Sequence, residues 1–212
     1  MNYFQLVNKC LVELNYKQVN SFAELTKNDH KKIKNILRLV NNDICNYQNW
    51  NFRIRKTELI LPAETSEIKN TINGKIASII IDGHVYKHFE NPELYILNKA
   101  PNNTYSDFND KLLLPKFNSK KVLNVIYYTS NTAKNSNEEE ISELAEESDI
   151  SLIPSVFAEP LLVYGTCLRL KANPQHVKFS YWLSMYNQAL ANLKSKISTD
   201  ANYTPHVVTH RY

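Results

Sequence analysis

The spacing of apolar residues changes twice along this chain, and that change limits the possible folds more than any other feature of the sequence. Near both ends, apolar residues recur at steps of three or four, as they do in amphipathic helices. In the middle they alternate with polar residues or form short β-branched runs, which favours strands. We therefore expect an α+β fold: a helical bundle formed by N- and C-terminal helices, with a β-rich insertion between them.

Helices are predicted for both ends of the chain. Residues 3–14 and 29–47 each carry an apolar stripe at helical spacing, and lysines cover much of the other face of the second segment. A nearly continuous apolar segment after Pro154 predicts a buried helix, in which Gly165 allows another helix to approach closely. Asn173-Pro174 ends that helix and begins the last one. The apolar stripe of the last helix consists of Val177, Phe179, Trp182, Leu183, Tyr186, Ala189, Leu190, Leu193 and Ile197.

The middle of the chain predicts roughly five to seven short strands. Residues 51–61 begin in alternation, and residues 122–128 form the strongest predicted strand. Between them, Asn73-Gly74 and Asp82-Gly83 indicate turns. The second turn joins the β-branched run at 76–81 to a return strand.

This periodicity divides the chain into three parts. Residues 1–50 and 150–198 form the predicted helical core, residues 51–149 the β-rich insertion, and residues 199–212 an extended C-terminal tail. Because each amphipathic helix must bury its apolar stripe, we expect the two end segments to pack together.

Negative charge is concentrated in one segment. The net charge of the protein is +4, and its basic residues are scattered, which is weak support for nucleic-acid binding. A polar loop is predicted at residues 131–137, and an acidic run follows from Glu138 to Asp149. We interpret this run as a solvated helix or edge element. The alternative is an anionic surface that repels DNA phosphates or binds a basic partner.

The few glycines and cysteines exclude several kinds of site. Only Gly74, Gly83 and Gly165 occur, so neither a Rossmann fingerprint nor a Walker loop is present. The three cysteines form no CxxC pair, and we expect them to be small buried side chains rather than zinc ligands. No metal or other cofactor is therefore expected.

Candidate catalytic residues do not assemble in the sequence. The glutamates of the acidic run lack the fixed pair in a cleft that glycosidase chemistry needs, and no GxSxG or HExxH motif occurs. Cys167 is the best candidate nucleophile, yet it lies on a predicted core helix. Tyr47, Trp50 and Phe52 could stack nucleic-acid bases, but packing between helix and sheet is the simpler interpretation. We expect that the chain is not an enzyme.

Neither a membrane span nor a signal peptide is predicted. No run of about eighteen apolar residues occurs. Residues 1–5 lack a basic n-region, and no small-residue cleavage site follows them.

Several segments match a known family in their order and spacing. They are Phe4–Leu14, Val19–Phe22, Val40–Ile44 with Trp50–Arg53, Asp149–Pro154 with Leu161–Gly165, and Tyr186–Leu193. Together they resemble the head-to-tail adaptor (connector) proteins of tailed bacteriophages, the tail tubular protein A-like family. The likeness covers nearly the whole chain. The acidic run and the tail beyond Ser198 are departures from it.

The resemblance implies a structural protein of the virion neck and tail. Such subunits form a homo-oligomeric ring, commonly of about twelve copies, that joins the portal protein to the tail tube or nozzle protein. Genomic DNA would pass through the lumen without sequence-specific binding. The ring would assemble in the host cytoplasm, with no membrane and no cofactor. The tail would dock on the portal through Thr199, Tyr203, Pro205, His206, Val207, Val208, His210, Arg211 and Tyr212.

Three alternatives stay open at this point. In the first, the chain is another neck or tail-completion subunit of the same virion, further from the portal. In the second, it is a cell-wall hydrolase, since some related adaptors have been suggested to act on wall polymers. In the third, it is a non-viral nucleic-acid-binding module, whose DNA binding would weaken steeply as the salt concentration rises.

Overall fold

The structure is a computed structural model that describes residues 1–97 and 99–197. Within these ranges the helices are α1 (Tyr3–Glu13), α2 (Asn28–Asn46), α3 (Glu93–Ile96), α4 (Ser155–Leu170) and α5 (Phe179–Ile197). The strands are β1 (Ile54–Leu61), β2 (Glu67–Lys69), β3 (Gly74–Ile81), β4 (His84–His88), β5 (Thr104–Phe108), β6 (Lys111–Leu113), β7 (Lys121–Thr129), β8 (Ala133–Lys134), β9 (Glu140–Ile141) and β10 (Ile150–Ser151). Short 3₁₀ helices at Phe22–Glu24 and Asn51–Arg53 precede α2 and β1. None of the helices in the described ranges is both long and apolar enough to cross a membrane.

Seven strands form the largest unit of the fold, hereafter the large sheet. Their order is β1-β7-β3-β4-β5-β6-β2, and every neighbouring pair is antiparallel except β4 and β5. Strands far apart in this order contribute to one core, so the sheet curls around its own inner face. The buried side chains of this core are Leu61, Ile79, Ile81, Tyr86, Tyr105, Leu112, Leu114, Leu123 and Val125.

A second core lies between the long helices and a small sheet ordered β10-β8-β9. The helices supply most of its buried side chains, among them Leu37 of α2 and Trp182 of α5. The chain around the small sheet completes this core with Ala133, Leu144 and Ile153. The helices therefore do not enclose their core alone.

The predicted fold class, a helical bundle with a β-rich insertion, is wrong. The chain is α+β, but the large sheet dominates it, and a second sheet packs with the helices. Periodicity indicates local conformation and not strand pairing: Leu61 of β1 pairs with Lys121 of β7, about 60 residues later. Each strand of the small sheet has two residues, too few to show alternation. The division of the chain at residues 50 and 150 stays a prediction.

The long helices begin close to their predicted positions, with one exception. At α1, the side chain of Asn2 accepts a hydrogen bond from the Gln5 amide at 2.9 Å, and the Gln5 side chain accepts one from the Asn2 amide. The exception is α5, which begins at Phe179 and not directly after Pro174. The segment between them forms a turn, and Val177, assigned to the apolar stripe, is 98% exposed.

The side chains of Trp50 and Arg53 join α2 to the large sheet. The last carbonyl groups of a helix have no partner within the helix. Trp50 Nε1 donates to the carbonyl of Ile44 at 2.6 Å, and the Arg53 guanidinium donates to the carbonyl of Cys45. The same guanidinium donates to the carbonyl of Thr129, with Nε at 2.8 Å. Since Thr129 is the last residue of β7, one buried side chain ties the end of the helix to the sheet.

Gly165 lies where α4 meets α2 and α5. A Cβ atom at this position would lie 2.9 Å from Cγ1 of Val40 and 3.0 Å from Cε2 of Tyr186. These distances are shorter than ordinary van der Waals contacts, so the predicted close approach of another helix at Gly165 is confirmed.

Candidate assembly surface

The predicted portal-docking residues lie outside the part of the chain that the structure describes. All nine fall between Thr199 and Tyr212, and the described range ends at residue 197. The described residues present a different candidate surface, which lies on the large sheet.

The large sheet has one face that its own core does not use. Successive residues of a strand point to opposite faces. In β1, Leu61 points to the core of the sheet, and in β7 Leu123 and Val125 do so. The residues that alternate with them along each strand therefore point the other way. We call this second side the outer face and define it by Ile54, Lys56, Glu58, Ile60, Lys75, Ile80, Val85, Lys87, Val122, Ile126 and Tyr128.

The strand register brings apolar side chains of the outer face together. Ile60 of β1 pairs with Val122 of β7, and Ile80 of β3 pairs with Val85 of β4. The exposed fractions of Ile60, Val85 and Val122 are 56%, 53% and 43%, although Val and Ile are among the most often buried residues. Contiguous exposed apolar surface commonly marks an interaction site. The outer face is therefore the leading candidate for an assembly surface.

The acidic run, residues 138–149, folds with the small sheet and not as a helix. Its first part contains β9, the edge strand of the small sheet, so the edge-element interpretation is confirmed. The loop predicted at 131–137 contains β8 and is therefore only partly irregular. Asp149 is buried, and its carboxylate accepts hydrogen bonds from the amides of Ala145 and Glu146 at 2.8 and 2.7 Å. We call residues 138–149 the acidic segment.

Two ion pairs hold the acidic segment against the rest of the chain. Arg38 of α2 pairs with Glu143 at 2.9 Å, and Arg55 of β1 pairs with Glu140. Both pairs are partly exposed, so each contributes little to stability. Four other glutamates of the segment are exposed and form no ion pair within the described ranges: Glu138, Glu139, Glu146 and Glu147.

The three thiols are buried and free, as predicted. Burial raises the pKa of Cys10 well above its ordinary value, and the neighbouring Cys167 thiol adds to the rise. Burial also raises the pKa of Cys45 to about 12. A cysteine reacts as its thiolate. The candidate nucleophile Cys167 is fully buried beside the Cys10 thiol, in a setting that suits a small apolar side chain.

A cavity of about 290 Å³ beside β3, β4 and β5 holds a histidine and a carboxylate. His88 Nε2 lies 2.6 Å from Asp107 Oδ1, and both side chains are exposed. Tyr105 also lines the cavity, and its burial raises its pKa to about 12. A His–Asp pair acts in nucleophilic catalysis by activating a hydroxyl or thiol. Among the described residues that line this cavity, Tyr105 alone carries such a group.

Within residues 1–97 and 99–197, no three His, Cys, Asp or Glu residues are grouped as metal ligands.

The aromatic residues at the helix-to-sheet junction divide into two groups. Trp50 is buried and stacks on Phe52, with ring centroids 5.8 Å apart. The packing interpretation is confirmed for these two residues. It is wrong for Tyr47, which is exposed and covered by Lys194 Nζ at 4.5 Å from the ring centroid.

The sequence itself carries a signal for the outer face. A strand covered on one side alternates apolar and polar residues, whereas a strand covered on both sides is apolar throughout. Residues 59–61 and 79–81 are apolar at every position, and residues 122–128 at all but one. Such runs are typical of strands that are covered on both faces.

Comparison with protein-family profiles finds no match for this chain, and comparison with curated proteins finds none either.

Proposed function

We propose that this chain is a structural subunit of the neck of a tailed bacteriophage, and that copies of it form a ring joining the portal to the tail around the DNA channel. The observation that carries the proposal is the outer face of the large sheet. Four strands present apolar side chains there in register, and association would remove this surface from water. The resemblance of the helical and strand segments to adaptor proteins supports a position for the ring at the neck of the virion.

The size of the outer face indicates how such a ring would form. Ile60, Val85 and Val122 are each about half exposed, so burial of each would contribute roughly 1 kcal/mol. The sum is smaller than the cost of about 4–15 kcal/mol for associating two free molecules. A subunit in a closed ring touches two neighbours, and one bound to the portal gains a further contact. We therefore expect ring assembly to be weak in isolation and strong on the portal.

Mixing the chain with the portal tests this proposal. The purified chain and the portal protein encoded in the same genome would be combined and measured by mass photometry and negative-stain electron microscopy. The expected product is a portal with a ring of this chain at one end, about twelve copies by the family resemblance. A chain that stays monomeric and does not bind the portal would refute the proposal.

The C-terminal tail is proposed to dock on the portal. Exposed terminal segments can order on binding without contributing to the fold. A chain ending at Ser198 is therefore expected to keep its far-UV circular dichroism spectrum and to lose portal binding. The control is a full-length chain with residues 199–212 in shuffled order, which keeps length and composition. Normal portal binding by the truncated chain would contradict docking through the tail.

DNA is proposed to pass through the ring without being held. A channel must let the genome slide, so strong binding to phosphates would be unfavourable. Two 30-base-pair duplexes of different sequence are expected to bind weakly and equally in fluorescence anisotropy. Tight binding with a strong sequence preference would favour the nucleic-acid-binding alternative.

A further inference from the structure

The outer face carries an excess of positive charge around its apolar residues. Lys56 pairs in register with Ile126, and Lys75 pairs with Tyr128. Lys87 lies on β4 two positions after Val85 and therefore points to the same side. Glu58 is the one acidic residue in the defined outer face. None of the three lysines forms an ion pair with another described residue.

The acidic segment has the opposite charge and its own exposed apolar neighbours. Residues 138–149 contain seven acidic residues and neither Lys nor Arg. Ile150, 47% exposed, directly follows the segment, and Val156, 77% exposed, lies seven residues beyond its end at the start of α4. An apolar contact surrounded by opposite charges is the usual composition of a protein interface. The acidic segment is thus complementary to the outer face in both charge and polarity.

The two surfaces lie on opposite sides of β1. Arg55 and Lys56 are successive residues of this strand, so their side chains point in opposite directions. Arg55 binds Glu140 of the acidic segment. At Glu140, the acidic segment therefore lies on the side of β1 away from Lys56 and the outer face. One subunit cannot bring the two surfaces together, but two copies arranged head to tail can.

We propose that the outer face of one copy of this chain binds the acidic segment of the next copy. This contact deepens the proposed function. That the repeated contact closes into a ring rests on that proposed function. Ile60 and Val122 pack against Ile150 and Val156, and the lysines pair with the exposed glutamates around them. Because the two surfaces differ, the contact is heterologous and repeats from subunit to subunit. Exposed ion pairs contribute little each, so charge sets the orientation and rate of association, while the apolar contact stabilises the interface.

Charge reversal on each surface tests the pairing. One variant carries E138K, E146K and E147K, and the other carries K56E, K75E and K87E. Each variant alone presents like charges at every contact, and we expect the apparent constant for its assembly into rings on the portal, measured by mass photometry, to fall at least tenfold. In a mixture of the two variants, each contact between unlike subunits again joins opposite charges. We therefore expect mixing to restore association to within about threefold of wild type.

A third variant controls for the change in net charge. It carries K17E, K27E and K31E, which change two exposed lysines before α2 and one in its first turn. Its net charge equals that of the outer-face variant, and we expect it to associate as the wild type does. All variants are first compared by circular dichroism, so that loss of folding is not read as loss of contact.

The outcomes separate this proposal from the proposed function. Loss in both surface variants with recovery on mixing supports the head-to-tail contact. Failure of mixing to restore association, or an equal loss in the control variant, overturns the contact, although a wild-type ring on the portal would keep the proposed function. A wild-type chain that stays monomeric both alone and with the portal overturns both proposals.

Discussion

Replacing Arg53 would measure how strongly the helices are coupled to the large sheet. Its guanidinium is buried and donates to the carbonyl of Cys45 in the last turn of α2 and to the carbonyl of Thr129 at the end of β7. Arg53→Met keeps a long apolar stem and removes every donor. The variant therefore leaves two carbonyl groups at the junction without this partner.

The expected loss follows from these two carbonyl groups. Leaving a buried acceptor unpaired costs about 1–3 kcal/mol, so two predict about 2–6 kcal/mol. The buried guanidinium itself is desolvated, which lowers the pKa of Arg53, and the variant recovers that cost. We expect a net fall of about 2–4 kcal/mol in the free energy of unfolding. Since domains are typically stable by about 5–15 kcal/mol, Arg53→Met should still fold.

Urea unfolding followed by circular dichroism provides the measurement. Arg53→Lys keeps the charge but cannot donate to both carbonyls in fork geometry, so we expect a loss between those of wild type and Arg53→Met. Lys56→Met, an exposed change three residues later on β1, is the control and should change stability by less than about 0.5 kcal/mol. A loss below about 1 kcal/mol for Arg53→Met would show that water replaces the guanidinium and that the junction is not held by this side chain.

Three further changes test other parts of the structure. Gly165→Ala should lower the melting temperature, because overpacking costs about 1–3 kcal/mol against a helix-propensity gain of about 0.5–1 kcal/mol; a rise would mean that its neighbours shift freely. Asn41→Ala removes a buried amide that donates to the Thr132 carbonyl at 3.1 Å and accepts from the Ser151 hydroxyl at 2.5 Å. We expect the free energy of unfolding in urea to fall by about 1–3 kcal/mol; a change within about 0.5 kcal/mol would contradict this role. Because the folded-state pKa of Cys45 is raised to about 12, the stability that its neutral thiol contributes is complete below pH 9 and is lost as pH rises further, at about 1.4 kcal/mol per unit. Cys45→Ala should reduce the slope of stability against pH above pH 9 by about that amount, while the slope due to Cys10 stays; an unchanged slope would refute the assignment.

The helices could be predicted from sequence because their contacts are periodic and local. The stripe of α2 gave a helix at 29–47, and the structure has Asn28–Asn46. The junction that follows could not be predicted in the same way. Arg53 appears in the sequence as a polar residue at the start of a strand, and its buried role depends on Thr129, which lies 76 residues later.

The large sheet illustrates the same limit on a larger scale. The hairpin at Asp82-Gly83 was predicted because its two strands are neighbours in sequence, and β3 and β4 do pair there. The pairing of β1 with β7 joins distant segments and leaves no local pattern. The outer face could be predicted in part. Its all-apolar runs are visible in the sequence, but only the strand register shows that Ile60 and Val122 lie side by side.

The order of elements along the chain has a consequence for biosynthesis. α1 and α2 bury their apolar stripes against α4, which begins about 110 residues after α2 ends. At about 5–20 residues per second, the ribosome needs about 5–20 s to supply that partner. All seven strands of the large sheet lie in the chain between α2 and α4. The sheet can therefore fold while the apolar stripes of the first two helices are still exposed. We expect nascent chains arrested before residue 155 to bind chaperones through α1 and α2, and to release them once α4 has left the exit tunnel.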